Sequence, residues 1–199
     1  MEITKNEIEK LFPSVYITLV SILLGFAVED VVTRLGELAT LDAFNLLEAA
    51  GILSAIIAAW IGYSFVSMTQ ERLPRVWDAI HVFFLAFGFY FLISTIGMEI
   101  WLFFLALSLY QLLGTAATVY NANILAESLA NMSGWRIFPW NILITFIGTV
   151  VYLGTALASR QELLHRGVEI FMAGSLILIN IAWIYAFCRG WSRLVERIS

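Results

Sequence analysis

The sequence predicts an all-α integral membrane protein, a bundle of six transmembrane helices joined by short loops. Of its 199 residues, 61% are apolar and 13% are charged, whereas soluble domains average about 45–50% and about 25%. Six apolar segments are each about as long as the roughly 20-residue helix that a bilayer requires. Little of the chain is left between these segments for a soluble catalytic domain.

The six segments are delimited by charged or turn-forming residues, as membrane spans usually are. Pro13 and Pro139 are expected in the first turn of their helices, where a missing N–H loses no intrahelical bond. Gly97 and Met98 alone separate the third segment from the fourth, which predicts a tight helical hairpin. In chain order the predicted spans are residues 13–32, 44–68, 76–96, 99–120, 139–158 and 167–188.

The distribution of basic residues predicts the orientation, because Lys and Arg are retained on the cytoplasmic side. With both termini in the cytoplasm, eight basic residues lie inside and three, Arg34, Arg160 and Arg166, lie outside. This predicts a multi-pass protein of a bacterial inner membrane or plasma membrane, with both termini cytoplasmic. The longest connection, residues 122–135, is then cytoplasmic. It either joins two helices directly or holds a short surface helix at 124–129, and its glycosylation sequon at 131–133 is expected to be unused.

The composition excludes several classes of partner and cofactor. A net charge of −4 without a block of basic residues gives nucleic acid no surface to bind. Lys5 and Lys10 are the only lysines, so no intramembrane lysine can hold retinal. His81 and His165 lie towards opposite sides of the membrane, which argues against haem and zinc sites. We therefore expect no cofactor and no enzyme activity.

Four predicted helices carry polar residues on one face, at the spacing of three and four that brings side chains together. An unpaired polar group in lipid costs several kcal/mol, so these faces are expected to meet one another or water. They could supply hydrogen bonds between helices or line a hydrated pathway. The faces comprise Ser14, Thr18, Ser21, Gly25 and Glu29 in span one, Ser108, Gln111, Thr115 and Thr118 in span four, Asn141, Thr145, Tyr152 and Thr155 in span five, and Glu169, Asn180 and Trp183 in span six.

The acidic residues of the spans lie towards the predicted outer side, away from the bilayer centre, where a charge costs at least about 2.5–3.5 kcal/mol. Eight acids against three arginines on that side predict a vestibule that attracts cations. Glu29 continues the polar face of span one, whereas Glu99 points away from the polar face of its helix, so Glu29 is expected to affect permeation more. The candidate vestibule acids are Glu29, Asp30, Glu48 and Glu169.

Span two carries small residues on one face instead of polar ones. Gly51, Ala55, Ala58 and Gly62 recur at helical spacing, and such faces allow two helices to approach closely. The partner is either another span of the same chain or a second subunit.

Asp78 and His81 form a candidate pH-sensitive pair at the start of span three. Their separation of three residues allows a hydrogen bond that favours a protonated histidine. An ordinary pair at the start of an interfacial helix is the alternative interpretation.

Together these observations predict a membrane transport protein, a channel-like homo-oligomer that conducts cations from an acidic outer vestibule. The alternative is a non-conducting scaffold or effector subunit that binds other membrane proteins, and an intramembrane enzyme is a third hypothesis. Internal repetition is limited to Leu-Gly-Thr-Ala at residues 113–116 and 153–156, which argues against the inverted repeats of many carriers.

Overall fold

The computed structural model describes residues 5–68, 75–128 and 138–198, which form a bundle of six helices. All six are long and apolar enough to cross a membrane, and the described part of the chain contains no strand. The prediction of an all-α six-helix bundle is therefore confirmed. The helices are α1 (Lys5–Glu37), α2 (Ala43–Met68), α3 (Val76–Ser94), α4 (Ile100–Ser128), α5 (Pro139–Arg160) and α6 (Arg166–Ile198).

Several helices extend beyond the predicted spans. α1 begins at Lys5, so Pro13 lies inside the helix and the prediction that it starts the helix was wrong. α4 continues to Ser128, so the separate surface helix expected at 124–129 is the end of α4 as far as the chain is described. Residue 129 and the sequon at 131–133 lie outside the described residues. Hydropathy detects the apolar part of a helix and misses its polar continuation into water.

The six helices form a closed ring in which α2 occupies the innermost position. The neighbours follow the order α1, α2, α6, α5, α4 and α3, with α3 returning to α1. α2 also contacts α3 and α4 across the ring, and its apolar segment is the most buried of the six. Residues on α2 can therefore contact helices across the ring as well as their two neighbours in it.

The turn between α3 and α4 requires glycine at position 97. Gly97 has a φ of 75°, a conformation that glycine adopts without strain. A Cβ atom there would lie 2.5 Å from Cδ2 of Leu38, so a larger residue would also displace the α1–α2 connection. We call the end of the bundle that holds this turn and the connections at 38–42 and 161–165 the hairpin end, and the opposite end the terminal end.

Large apolar side chains cover the outside of the ring. Phe83, Tyr90, Phe171 and Leu178, on α3 and α6, are each more than 60% exposed. Exposed apolar surface on this scale is unfavourable in water and favourable against lipid tails. The surface therefore agrees with a multi-pass membrane protein.

Cysteine labelling tests the predicted sidedness. In a Cys188→Ser background, Gln161→Cys at the hairpin end and Ser192→Cys at the terminal end place a thiol at exposed positions. We expect an impermeant thiol reagent added to intact cells to label Gln161→Cys and to spare Ser192→Cys, because the basic residues predict a cytoplasmic terminal end. The reverse pattern would overturn the orientation.

Candidate functional site: the hairpin-end crevice

A polar crevice opens at the hairpin end, between the start of α2, the α3–α4 turn and the α5–α6 connection. Its volume is about 890 Å³. We call it the hairpin-end crevice. Its lining acids outnumber its lining arginines, so its field favours cations. The charged lining residues are Asp42, Glu99, Glu162, Glu169, Arg160 and Arg166.

Glu48 lies on α2, is 0% exposed and is hydrogen-bonded to two residues that line the crevice, Asn45 and Gly97. Its Oε2 atom accepts hydrogen bonds from the Gly97 N–H at 3.4 Å and from Asn45 Nδ2 at 3.3 Å. Its Oε1 atom has no hydrogen-bond partner among the described residues. A buried carboxylate with one unpaired oxygen is energetically unfavourable. A ligand at Oε1 would therefore lower the free energy of the folded protein.

Glu169, on the first turn of α6, is the second buried acid at the crevice. It is 8% exposed and accepts a 2.6 Å hydrogen bond from Oγ of Ser159 at the end of α5. Its Oε2 atom lies 3.8 Å from Arg166 Nη1. Unlike Glu48, this carboxylate therefore has protein partners on both oxygens.

Arg166 joins the starts of α2 and α6 across the crevice. Its Nη2 atom lies 3.2 Å from Asp42 Oδ2, and its guanidinium carbon lies 4.7 Å from the centroid of the Phe44 ring. The side chain is almost half exposed, and an exposed ion pair contributes about 0–1 kcal/mol. A cation in the crevice can therefore compete with Arg166 for Asp42 and Glu169 at small cost.

The polar face of span one does not reach the crevice. Thr18, Ser21, Glu29 and Asp30 are all exposed on the outside of α1, and Glu29 and Asp30 do not line the crevice. Thr18 donates to the Ser14 carbonyl, and Ser21 accepts from Trp60 Nε1. These residues therefore do not contribute to the crevice of a single chain, because a helical spacing shows which residues share a face and not where that face points. Their role in permeation stays a prediction.

Buried polar residues of α4, α5 and α6 form hydrogen bonds between helices. Ser108 donates to the Thr149 carbonyl, Asn141 to the Trp183 carbonyl, and Asn180 to Ser54 Oγ, at 2.8–2.9 Å. Thr115 and Thr145 donate to carbonyls of their own helices. Of the two interpretations left open, hydrogen bonding between helices accounts for Ser108, Asn141 and Asn180.

Gln111 differs from these neighbours, since its side-chain amide has no hydrogen-bond partner within the described residues, although the side chain is 3% exposed. Besides the backbone hydrogen bonds of the helix, the main-chain carbonyl of Gln111 accepts a hydrogen bond from the Thr115 hydroxyl. The amide lines an internal cavity of about 100 Å³ between α2, α3, α4, α5 and α6.

An apolar layer separates this cavity from the hairpin-end crevice. The crevice and the cavity have no described lining residue in common. The side chains of the layer are each less than 2% exposed, and they are Ile52, Phe103, Phe104, Leu107, Tyr152 and Leu176. A route from one cavity to the other therefore requires this layer to move.

The small-residue face of α2 packs against α6 of the same chain. A Cβ atom at Gly51 would lie 2.8 Å from Leu176 Cδ2, and one at Gly62 would lie 2.9 Å from Trp183 Cη2. Ala55 and Ala58 on the same face are buried. Of the two alternatives, the contact is within the chain, and the face is not available to a second subunit.

Asp78 and His81 are both hydrogen-bonded to tyrosines. The Tyr120 hydroxyl donates to Asp78 Oδ1 at 3.2 Å, and the Tyr63 hydroxyl lies 2.9 Å from His81 Nε2. Asp78 also accepts the Arg75 N–H at 2.7 Å, which caps α3. The proposed pH response of the pair stays a prediction.

The site contains residues that the sequence did not single out for function, namely Arg166, Ser159 and Gly97. Gly97 had a usable signal, because a glycine in a predicted tight turn between two helices indicates a positive φ, although the connection in the structure spans residues 95–99. Nothing in the sequence points from Ser159 to Glu169. Among the described residues, no group of three His, Cys, Asp or Glu side chains is arranged to hold a metal ion.

Comparison with protein-family models, curated proteins and solved structures finds no match for this chain.

Proposed function

We propose that the protein is a membrane transport protein that takes up cations at the hairpin-end crevice, with Glu48 as the principal binding carboxylate. The observation that carries the proposal is the fully buried Glu48, whose Oε1 atom lacks a partner. Ionisable residues within membrane spans are costly and usually functional. A cation at Oε1 supplies the missing partner.

The charges around Glu48 favour cations over anions. Together with Glu48, the crevice has five acids against two arginines, and its low-dielectric walls strengthen the field inside it. Arg166 is held by Asp42 and Glu169, and an arriving cation displaces it towards solvent. Arg166 thus competes with the incoming cation and sets the cation concentration that uptake requires.

The apolar layer below Glu48 acts as the gate of this transport protein. Glu48 accepts the Gly97 N–H, so the carboxylate that binds the cation also holds the α3–α4 turn. Phe103 and Phe104, which belong to the layer, lie within the first five residues of α4. A cation at Oε1 that draws the Glu48 carboxylate towards the crevice strains this Oε2 hydrogen bond, which couples cation binding to the position of the α3–α4 turn and of the layer. This supports a gated channel or carrier in a closed conformation.

Cation flux into proteoliposomes tests the proposal. The purified chain is reconstituted, and uptake of Na⁺, K⁺ and H⁺ is followed under imposed gradients. We expect uptake of at least one of these cations, with a rate that saturates with concentration because Glu48 is a discrete site. No flux under any of the three gradients would contradict the proposal.

The alternative is a non-conducting scaffold or effector subunit, and one observation favours it. The buried polar residues that could line a pathway, such as Ser108, Asn141 and Asn180, form hydrogen bonds between helices. Such bonds contribute about 0.6 kcal/mol each and suffice to hold a scaffold together. The flux assay separates the two functions, because a scaffold gives the background leak of empty liposomes. Homo-oligomerisation and binding of other subunits stay predictions under either function.

A further inference from the structure

A lipid-facing groove runs between α3 and α4 in the half of the bundle nearer the terminal end. It has a volume of about 400 Å³. Trp77 and Phe84 line it and are more than half exposed, so the groove opens towards the acyl chains. Small residues of α4, Ala116 and Ala117, form its floor.

The groove adjoins the internal cavity. His81, Phe84, Leu113 and Ala117 line both. Closer to the turn the two helices pack tightly, because Gly88 allows the approach of Leu113 and Tyr110. Towards the terminal end they leave space, and a Cβ atom at Gly114 would meet no neighbour within 4 Å. We take this loosely packed part of the α3–α4 contact as the entrance from the membrane to the cavity.

The chemistry of the walls defines the ligand. Neither the groove nor the cavity is lined by Asp, Glu, Lys or Arg among the described residues, so a charged headgroup would have no counterion. Most of the cavity wall is apolar, while the Gln111 amide offers a donor and an acceptor. The Gln111 amide opens onto this cavity, and a few convergent polar groups in an apolar pocket are typical of ligand sites.

We propose that the groove and the cavity together bind a neutral, lipid-soluble amphiphile with a hydroxyl or carbonyl headgroup. Its headgroup enters the cavity and hydrogen-bonds to the Gln111 amide, and its apolar chain lies in the groove between Trp77 and Phe84. This site is separate from the crevice that contains Glu48, and it does not depend on cation transport.

Photolabelling with a long-chain alcohol that carries a diazirine tests the site, using the full chain in nanodiscs. A diazirine alkane of the same length, without the hydroxyl, is the reference probe. We expect the alcohol to label the residues of the groove preferentially and to be displaced by unlabelled alcohol. Gln111→Leu is expected to reduce alcohol labelling about fivefold, equivalent to roughly 1 kcal/mol, and to leave alkane labelling unchanged.

The repeated Leu-Gly-Thr-Ala sequence provides a matched pair of variants. Gly114→Leu fills the cavity, whereas Gly154→Leu places the same side chain on an exposed position of α5 with equally open surroundings. We expect Gly114→Leu to lower alcohol labelling of the groove about fivefold or more, by the same conversion, and Gly154→Leu to match the wild type. Both variants should elute and melt like the wild type.

Three outcomes would overturn this site. They are equal labelling by alcohol and alkane, equal effects of Gly114→Leu and Gly154→Leu, and groove labelling that survives Gly114→Leu. The last result would mean that water alone occupies the cavity and satisfies Gln111.

Discussion

Glu48→Gln is expected to abolish most cation flux while leaving the fold intact. Contacts to charged groups contribute roughly 1.5–3 kcal/mol, so the half-saturating cation concentration should rise about tenfold to a hundredfold. The amide oxygen of glutamine can still accept from Gly97 and Asn45, which hold the present Oε2 atom. The measurement is the concentration dependence of uptake in proteoliposomes, together with the thermal unfolding of the same preparation.

Two other acids serve as controls for this experiment. Glu29→Gln removes a carboxylate that is exposed on α1 and does not line the crevice, so its flux should equal that of the wild type. Glu99 does line the crevice, and Glu99→Gln should lower flux modestly, more at low salt than at high salt, because salt screens such fields over about 8–10 Å. This order reverses the prediction from the sequence, which ranked Glu29 above Glu99.

The three variants separate a binding site from a general field effect. If Glu48→Gln reduced flux no more than Glu99→Gln did, Glu48 would contribute only to the net charge of the crevice. If Glu48→Gln lost flux and stability together, the carboxylate would be structural. Loss of flux at unchanged stability is the result that the proposal requires.

The sequence predicted the six helices well because hydropathy reports directly on the segments that lie in lipid. It failed at the ends of α1, α4 and α6, where polar residues continue a helix without an apolar signal. Helix contacts across the ring, such as α2 with α3 and α4, depend on packing between segments distant in the chain. No single-helix pattern records those contacts.

The candidate site was predicted only in part, because packing between helices also decides which residues face it. Glu48 and Glu169 were identified as acids near span ends, and both are buried at the crevice. Glu29 has the same residue type, the same predicted depth and a better polar face, yet it lies outside. The difference comes from the rotation of α1 about its axis, which tertiary packing sets.

The face of α2 that carries Ala55 provides the second large expected effect, on stability. Ala55 is 0% exposed, and its face meets α6 so closely that a Cβ atom at Gly51 or Gly62 would force a side chain of α6 to shift. Ala55→Leu adds three carbon atoms to this contact. Overpacking of this kind costs typically about 1–3 kcal/mol, and we expect a loss of that size in unfolding free energy, measured by denaturant titration in detergent.

The matched control for this variant is Ala50→Leu, which makes the same change at an exposed position of the same helix. Its unfolding free energy should stay within about 0.5 kcal/mol of the wild type, as surface substitutions usually do. The mass of the detergent-solubilised assembly should be the same for both variants and the wild type, because the face is already occupied by α6. A smaller assembly for Ala55→Leu, at unchanged unfolding free energy, would instead mean that α2 joins two subunits. The close contact of Gly51 with Leu176 and of Gly62 with Trp183 argues for the first result, since a face that is filled within the chain has no surface left for a second copy.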